Sequence, residues 1–260
     1  MSDSFFVADG DGFVPQVHAT GPWSTDFLHG GPPCALMTRG FERSLPDDFQ
    51  LARLTFELLR PVGFAKLSLR TELDSTGANV RRGTAVLEAD GKPLIRAQAT
   101  AFRKVPVAIE LPQEAPPPLP ASLTSYVFPF FAWPVGYHTA MEVRFARGAL
   151  GQSPVAVWMR MKLPLLPGEK PSPFVRVVCA ADSGNGVAQV VDYERFTFVN
   201  ADLSLSLLRR PKGEWVCLEA HTMATRDGVG FSDTRLWDEQ GPIGRGCQGL
   251  VVRPRVAAVE

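Results

Sequence analysis

The chain has only four cysteines in 260 residues, and Cys34, Cys179, Cys217 and Cys247 stand singly, with no CxxC pair and no histidine beside them. That spacing builds no zinc site and reads as four buried thiols. Histidine is as sparse, with His18, His29, His138 and His221 each isolated. No metal and no cofactor is expected. An excess of one charge is missing too: 27 Lys and Arg balance 27 Asp and Glu, and no basic cluster is dense enough to track a phosphate backbone. Nucleic acid is therefore not an expected partner. The most apolar run, 127–135 (VFPFFAWPV), is broken by Pro129 and Pro134 and falls far short of the roughly 20 residues of a membrane span. The opening MSDSFFVADGDG is acidic where a secretory signal is basic and then apolar. These features predict a cytoplasmic protein without a membrane span. GxSxG, the phosphate loop and GxGxxG are all absent, which removes the commoner hydrolase, NTPase and dinucleotide signatures.

Against these absences stands a hydrophobic content of 45%, enough for one large core or two small ones. Residues 110–120 (ELPQEAPPPLP) have little to bury and several prolines, which neither donate to a ladder nor continue a helix. The segment divides the chain into 1–109, a linker over 110–120, and 121–260. The two sides share a plan. Arg60, Pro61 and Gly63 recur as Arg210, Pro211 and Gly213, an offset of 150 from Pro61 to Pro211. Without a gap, that offset also aligns Gly91 with Gly241, Gln98 with Gln248 and Arg103 with Arg253.

In the first half, 31–45 opens on prolines and spaces its apolar residues helically before Pro46, so a helix is expected there. Strands are expected at 51–59, 67–73, 84–89 and 94–102 between turn-rich segments. The second half repeats the pattern with a helix at 172–183 and strands at 198–208, 215–224, 231–238 and 246–252. Short strands at 13–18, 139–145 and 155–163 precede the helices. One helix followed by an antiparallel meander long enough to wrap it is the hotdog plan, an α+β arrangement. Two fused hotdog domains would pair their sheets side by side, the duplication replacing the symmetric dimer of a single hotdog. A further homodimer or higher homo-oligomer is compatible with that plan.

At His29-Gly30-Gly31 before a helix, and at the closing GRGCQGLVVR (residues 244–253), the sequence resembles the type II acyl-CoA thioesterase family of double-hotdog enzymes. The resemblance covers nearly the whole chain and implies an acyl-CoA substrate. It implies that a helix Asp, a strand Thr or Asn and a strand Gln of the second hotdog hold the hydrolytic water, which falls here on Asp182, Asn200 and Gln248. The family often has Thr where this chain has Asn200. It further implies a site completed by His29-Gly30-Gly31 from the other hotdog. The first half has Met37, Thr38 and Arg39 where its own Asp would fall, and the second has Pro171, Ser172, Pro173 and Phe174 in place of HGG. Each half thus keeps one part of a site.

The chemistry calls for the same residue types. Thioester hydrolysis needs a base for water, groups that orient it, and donors where the carbonyl oxygen becomes an oxyanion. A carboxylate can be the base, Asn and Gln amides both donate and accept, and Gly30-Gly31 can present N–H groups with no Cβ in the way. On residue type alone Asp182 is also a helix-end residue, Asn200 a strand-start residue, Gln248 an edge residue facing water, and HGG a tight turn braced by His29. Two other functions remain open: a non-catalytic acyl-CoA or lipid-binding protein, and a hotdog dehydratase or hydratase, which needs a His and Asp pair that the second half lacks.

Overall fold

The computed structural model describes residues 3–74, 77–110 and 114–255. In chain order the elements are β1 (Phe6–Asp9), β2 (Gly12–Pro15), α1 (Gly31–Ser44), β3 (Phe49–Leu58), β4 (Leu67–Asp74), β5 (Val80–Ala89) and β6 (Lys92–Arg103). Then come β7 (Ser125–Tyr126), α2 (Tyr137–Ala140), β8 (Met141–Arg147), β9 (Val155–Met161), α3 (Pro173–Ala181) and α4 (Gly184–Val187). The chain closes with β10 (Phe196–Asn200), β11 (Asp202–Leu207), β12 (Val216–Ala224), β13 (Val229–Asp238) and β14 (Gly241–Pro254). The strands form one antiparallel sheet in the order β1-β2-β4-β5-β6-β3-β11-β14-β13-β12-β9-β8-β7, with β10 also on β14. The two halves meet at β3 and β11, in register from Glu57 opposite Asp202 to Arg53 opposite Ser206. This is the expected double hotdog.

Each half wraps its sheet around one helix, and the two helices pack on each other. Helix α1 starts with prolines at its first positions and no side-chain cap, and it buries Cys34, Met37 and Phe41. Helix α3 is capped by Ser172 Oγ, which accepts the Val175 N–H (3.1 Å). Period-two burial along β3 and β6 gives one face to the core, and a single apolar cluster runs through both halves.

Several expectations need correction. The helix expected over 172–183 is α3, capped by Ser172 and Asp182, and a second short helix outside that expectation, α4, begins at Gly184. A Cβ on Gly184 would lie 2.7 Å from Gln248 Oε1 and 2.6 Å from Thr234 Oγ1, so the chain turns there with a glycine against the sheet. The strand expected over 198–208 is broken at Ala201, whose N–H bonds to Gly249 O (2.9 Å) and whose carbonyl takes the Leu58 N–H (3.0 Å). Asn200 therefore ends β10 instead of opening a strand. His18 lies in a 3-10 turn, and 6–9 adds the strand β1. The offset of 150 is one residue too long for the closing hairpins. Ala89 and Lys92 bound one turn, Asp238 and Gly241 the other. In that register Gln248, opposite Ser232, corresponds to Ala99, opposite Gly83. Gln98 is exposed on the other face, the outcome of a one-residue slip in a period-two pattern.

The described part of 110–120 lies against the outer face of the second half's strands. Trp158 Nε1 donates to Pro118 O (2.7 Å), and Glu114 pairs with Arg235 (2.7 Å).

Candidate active site

Asp182, at the end of α3, meets the start of α1 from the other half. It is only 4% exposed, so its carboxylate needs partners. Asn200 Nδ2, at the end of β10, donates to Asp182 Oδ1 (2.7 Å) and to Asp182 O (3.0 Å). His29 Nδ1 stands 3.1 Å from Oδ2. A Cβ on Gly30 would lie 2.9 Å from the same oxygen, so only glycine lets the α1 start approach this closely. The arrangement also points the positive end of the α1 dipole at the carboxylate.

The donors at the α1 start can be counted. Pro32 and Pro33 have no N–H. The Gly31 N–H donates to His29 Nδ1 (3.1 Å). Gly30 N–H has no acceptor among the described residues and Gly30 lines the cavity described below. Of the two glycine donors expected for an oxyanion, Gly30 is the one left free, while Gly31 serves the turn and the helix contact: its Cβ would lie 2.3 Å from Cys179 O.

Gln248 is 1% exposed and sits behind the carboxylate, outside the cavity lining. Its Nε2 donates to Asp182 O (2.9 Å) and its Oε1 accepts the Asn185 N–H (3.1 Å). Its amide is thus committed to the backbone on both sides of the α3–α4 corner, where helix-end groups would otherwise be orphaned. Asn200 differs, since its Oδ1 is buried with no partner among the described residues.

Sequence reading missed Tyr137. Its ring stacks on His29 (3.7 Å between centroids, 4° between planes), and its hydroxyl donates to Cys179 O (2.8 Å) beside Ser183 Oγ (2.9 Å). No spacing in the sequence links residue 137 to residue 29. Burial lowers the pKa of His29, with the Asp182 charge opposing, which leaves the ring neutral at pH 7. Burial raises that of Cys34 well above the usual thiol value, reinforced by Asp182 and then Cys179. Cys34 is a thiol and no nucleophile.

Asp182, Asn200, His29 and Gly30 stand on a cavity of about 300 Å³. Its walls are aromatic: Trp23 and Phe27 from the first half, Phe128, Phe130, Phe131 and Phe198 from the second. The apolar run 127–135 supplies three of these rings in series, Phe128 to Phe130 at 5.1 Å and Phe130 to Phe131 at 5.5 Å. The equivalent place at the other helix start is built otherwise. Ser172 hydrogen-bonds Glu42 of α1, and Arg39 pairs with Glu169 (2.5 Å).

Residues 19–102 match the profile of the acyl-CoA thioesterase N-terminal domain, and residues 112–252 that of the C-terminal domain. The chain belongs to the acyl-CoA thioesterase family. Solved structures carry the same fold at low identity. A conserved protein of unknown function with a hot dog fold from Alicyclobacillus acidocaldarius is 18% identical, with TM-score 0.74, over 98% of both chains. The TesB2 acyl-CoA thioesterase II of Mycobacterium marinum is 15% identical, with TM-score 0.70, over 95% of this chain and 94% of that one. The tesB protein of Mycobacterium avium subs paratuberculosis is 14% identical, with TM-score 0.70, over 96% of each. No curated protein matches the sequence. Among the described residues no helix is long and apolar enough to cross a membrane.

Proposed function

We propose that this chain is an acyl-CoA hydrolase of the cytoplasm with one site, shared between its two hotdogs. The observation that carries the reading is the cluster of Asp182, Asn200 and Gly30 on one apolar cavity. A water held between Asp182 and the unpartnered Asn200 Oδ1 attacks the thioester carbon and gives its proton to Asp182. The carbonyl oxygen becomes an oxyanion on Gly30 N–H. Collapse breaks the carbon–sulfur bond, and the leaving thiolate takes the proton back from Asp182. The acyl group lies among the aromatic rings and departs as the free acid. Gln248 acts one step removed, as a positioning residue that holds the Asp182 and Asn185 backbone. A thiol-release assay over acyl-CoAs of graded length tests this. Release that follows the Asp182 carboxylate supports it, and a folded protein that releases no thiol from any of them overturns it.

A second reading has a specific observation in its favour. The His and Asp pair that a dehydratase or hydratase needs is absent from the second half but forms across the halves, as His29 and Asp182. Hydration of a 2-enoyl-CoA, followed by loss of its ultraviolet absorbance, separates the two. The hydrolase reading ranks first because both halves match acyl-CoA thioesterase domains.

A further inference from the structure

We infer that Arg195 and Arg255, with Arg60 across the mouth, form the anchor for the phosphate end of coenzyme A. The inference rests on the acyl-CoA reading above and adds residues to it. Strand β10 connects the reacting end of the cavity to its rim. Asn200 lies beside Asp182, Phe198 lines the wall two residues earlier on the same face, and Arg195 stands just before the first residue of the strand. The ladder with β14 continues one step past the strand, since Arg255 N–H donates to Arg195 O (2.8 Å), and this places both arginines at the same end. Five residue steps lead from Asn200 to Arg195, roughly 16 Å of extended chain. That is a span an extended pantetheine arm can bridge, with its thioester at Asn200 and its pyrophosphate at the arginines.

The Arg255 guanidinium lies over the Trp23 ring, 5.4 Å from its centroid, and Trp23 meets Phe198 edge-on at 4.9 Å. A stacked guanidinium keeps its in-plane donors for phosphate oxygens. Arg195 folds over Phe196 at 5.7 Å. Arg60 lines the cavity and gives Nη1 to Pro93 O (2.6 Å). None of the three has an ion-pair partner among the described residues. Other arginines near the two helices and sheets are ion-paired, as in Arg39 with Glu169, Arg209 with Asp238 and Arg245 with Asp233. Lack of an ion pair is nonetheless common among the described arginines, and it is the position beside the cavity that distinguishes these three. Two nearby acids are turned into their own loops: Asp192 Oδ1 accepts the Glu194 N–H (2.9 Å), and Asp26 Oδ2 accepts from Ser24 Oγ (3.4 Å). Three arginines without an ion pair on a neutral protein, one in the lining of an apolar cavity, one stacked on a lining ring and one hydrogen-bonded to that neighbour's backbone, suit a ligand with an apolar end and a polyanionic end.

The test compares hydrolysis of one acyl group carried on CoA and on N-acetylcysteamine, which has the thioester but no phosphates. Both arginines are exposed, so Arg195→Gln with Arg255→Gln should fold. The expected result is a fall of about ten-fold in the kcat/KM preference for the CoA ester, carried by KM and shrinking as salt is raised. An unchanged preference, or an equal loss on both esters, overturns the anchor. So does a loss confined to acyl groups on an acyl carrier protein, which would make the arginines a docking site for that protein. Equilibrium binding of CoA itself separates this inference from the hydrolase reading. If no ester is cleaved but CoA binds with a salt-sensitive Kd that rises about ten-fold in the double variant, hydrolysis falls and the anchor stands. A Kd indifferent to the substitutions overturns the anchor whatever the turnover.

Discussion

His29 Nδ1 lies 3.1 Å from Asp182 Oδ2 and 3.1 Å from the Gly31 nitrogen, and it can serve only one of them at a time. An imidazole nitrogen has one in-plane hydrogen-bonding direction: unprotonated it accepts from Gly31, protonated it donates to Asp182. Burial favours the neutral ring, hence the bond to Gly31 when that nitrogen is unprotonated. The Asp182 carboxylate is then held chiefly by Asn200, and its second oxygen is available to a water.

Replacing Asp182 by Asn keeps the shape of this arrangement, because the side chain is isosteric and its amide oxygen can still accept from Asn200. It removes the proton acceptor. The expected outcome is a kcat lower by about 10²-fold or more with the circular dichroism spectrum and melting temperature near wild type. A folded variant that hydrolyses at the wild-type rate would show that Asp182 is not the base.

The two glycines should separate chemistry from stability. At Gly30 an added methyl meets the Asp182 carboxylate at 2.9 Å, so Gly30→Ala should displace the base and lower kcat while the helices stay packed. At Gly31 the added methyl meets the Cys179 carbonyl at 2.3 Å. Backbone cannot yield as a side chain tip can, so Gly31→Ala should cost about 1–3 kcal/mol of stability. Gly31→Val should cost more. Thermal melts beside kinetics check the contrast, and a Gly31 variant with an unshifted melt would contradict it.

Gln248 and Gln98 look equivalent in a gapless comparison of the halves, and the sheet makes them opposites. Truncating Gln248 to Ala leaves the Asn185 N–H without its acceptor and frees the Asp182 corner, at about 1–3 kcal/mol for the buried unsatisfied group. Activity should fall with it. Gln98→Ala sits on the exposed face of β6 and should change neither. Equal effects at the two positions would contradict the register.

Legibility followed periodicity. Helix α1, β4 and β12 fall within a residue of their expected ranges, because helical spacing before Pro46 and turn residues between strands are local signals. Strand β1 also has a local signal: FFVADGDGFV is two apolar runs around a Gly10-Asp11 turn, and Gly10 has φ 59°. The Ala201 break was not readable, since it depends on β11 leaving β10's line to join β3 in the other half. In the site, Asp182 and Gly30 carried sequence signals. Tyr137, the free Asn200 Oδ1 and the aromatic lining arise from contacts between distant segments, which no spacing encodes.

Burial depresses the pKa of His29, and of His138 with Lys162 adding to it. The unfolded chain then binds these protons more readily than the fold does. Stability is therefore full above the unfolded value of 6.5 and is lost as pH falls from there toward the depressed folded values. The denaturant midpoint should drop on acidification from pH 7 to 5, and His29→Gln should flatten that drop. A midpoint that rises over this interval would mean that the Asp182 charge outweighs burial at His29.

The last prediction concerns the sharing of the site between halves. Several seams among the described residues hold the halves together: β3 on β11, α1 on α3, Tyr137 on Thr20 and His29, and Phe5 and Phe6 N–H groups on the Pro164 and Leu165 carbonyls (3.1 and 3.0 Å). The chain between them is exposed at Val105, Val107 and Ile109. A protease site placed at 105–109 should therefore be cut in the folded protein without loss of activity, because the seams, and not the peptide link, place Gly30 beside Asp182. Unfolding the cut protein and separating the fragments should abolish hydrolysis, and mixing them should restore it. The second fragment needs Glu114 and Pro118, which contact Arg235 and Trp158, so cutting ahead of them is preferable to starting a fragment at residue 121. A second fragment that hydrolyses acyl-CoA as a verified monomer would sink the shared site and reduce His29-Gly30-Gly31 to a turn.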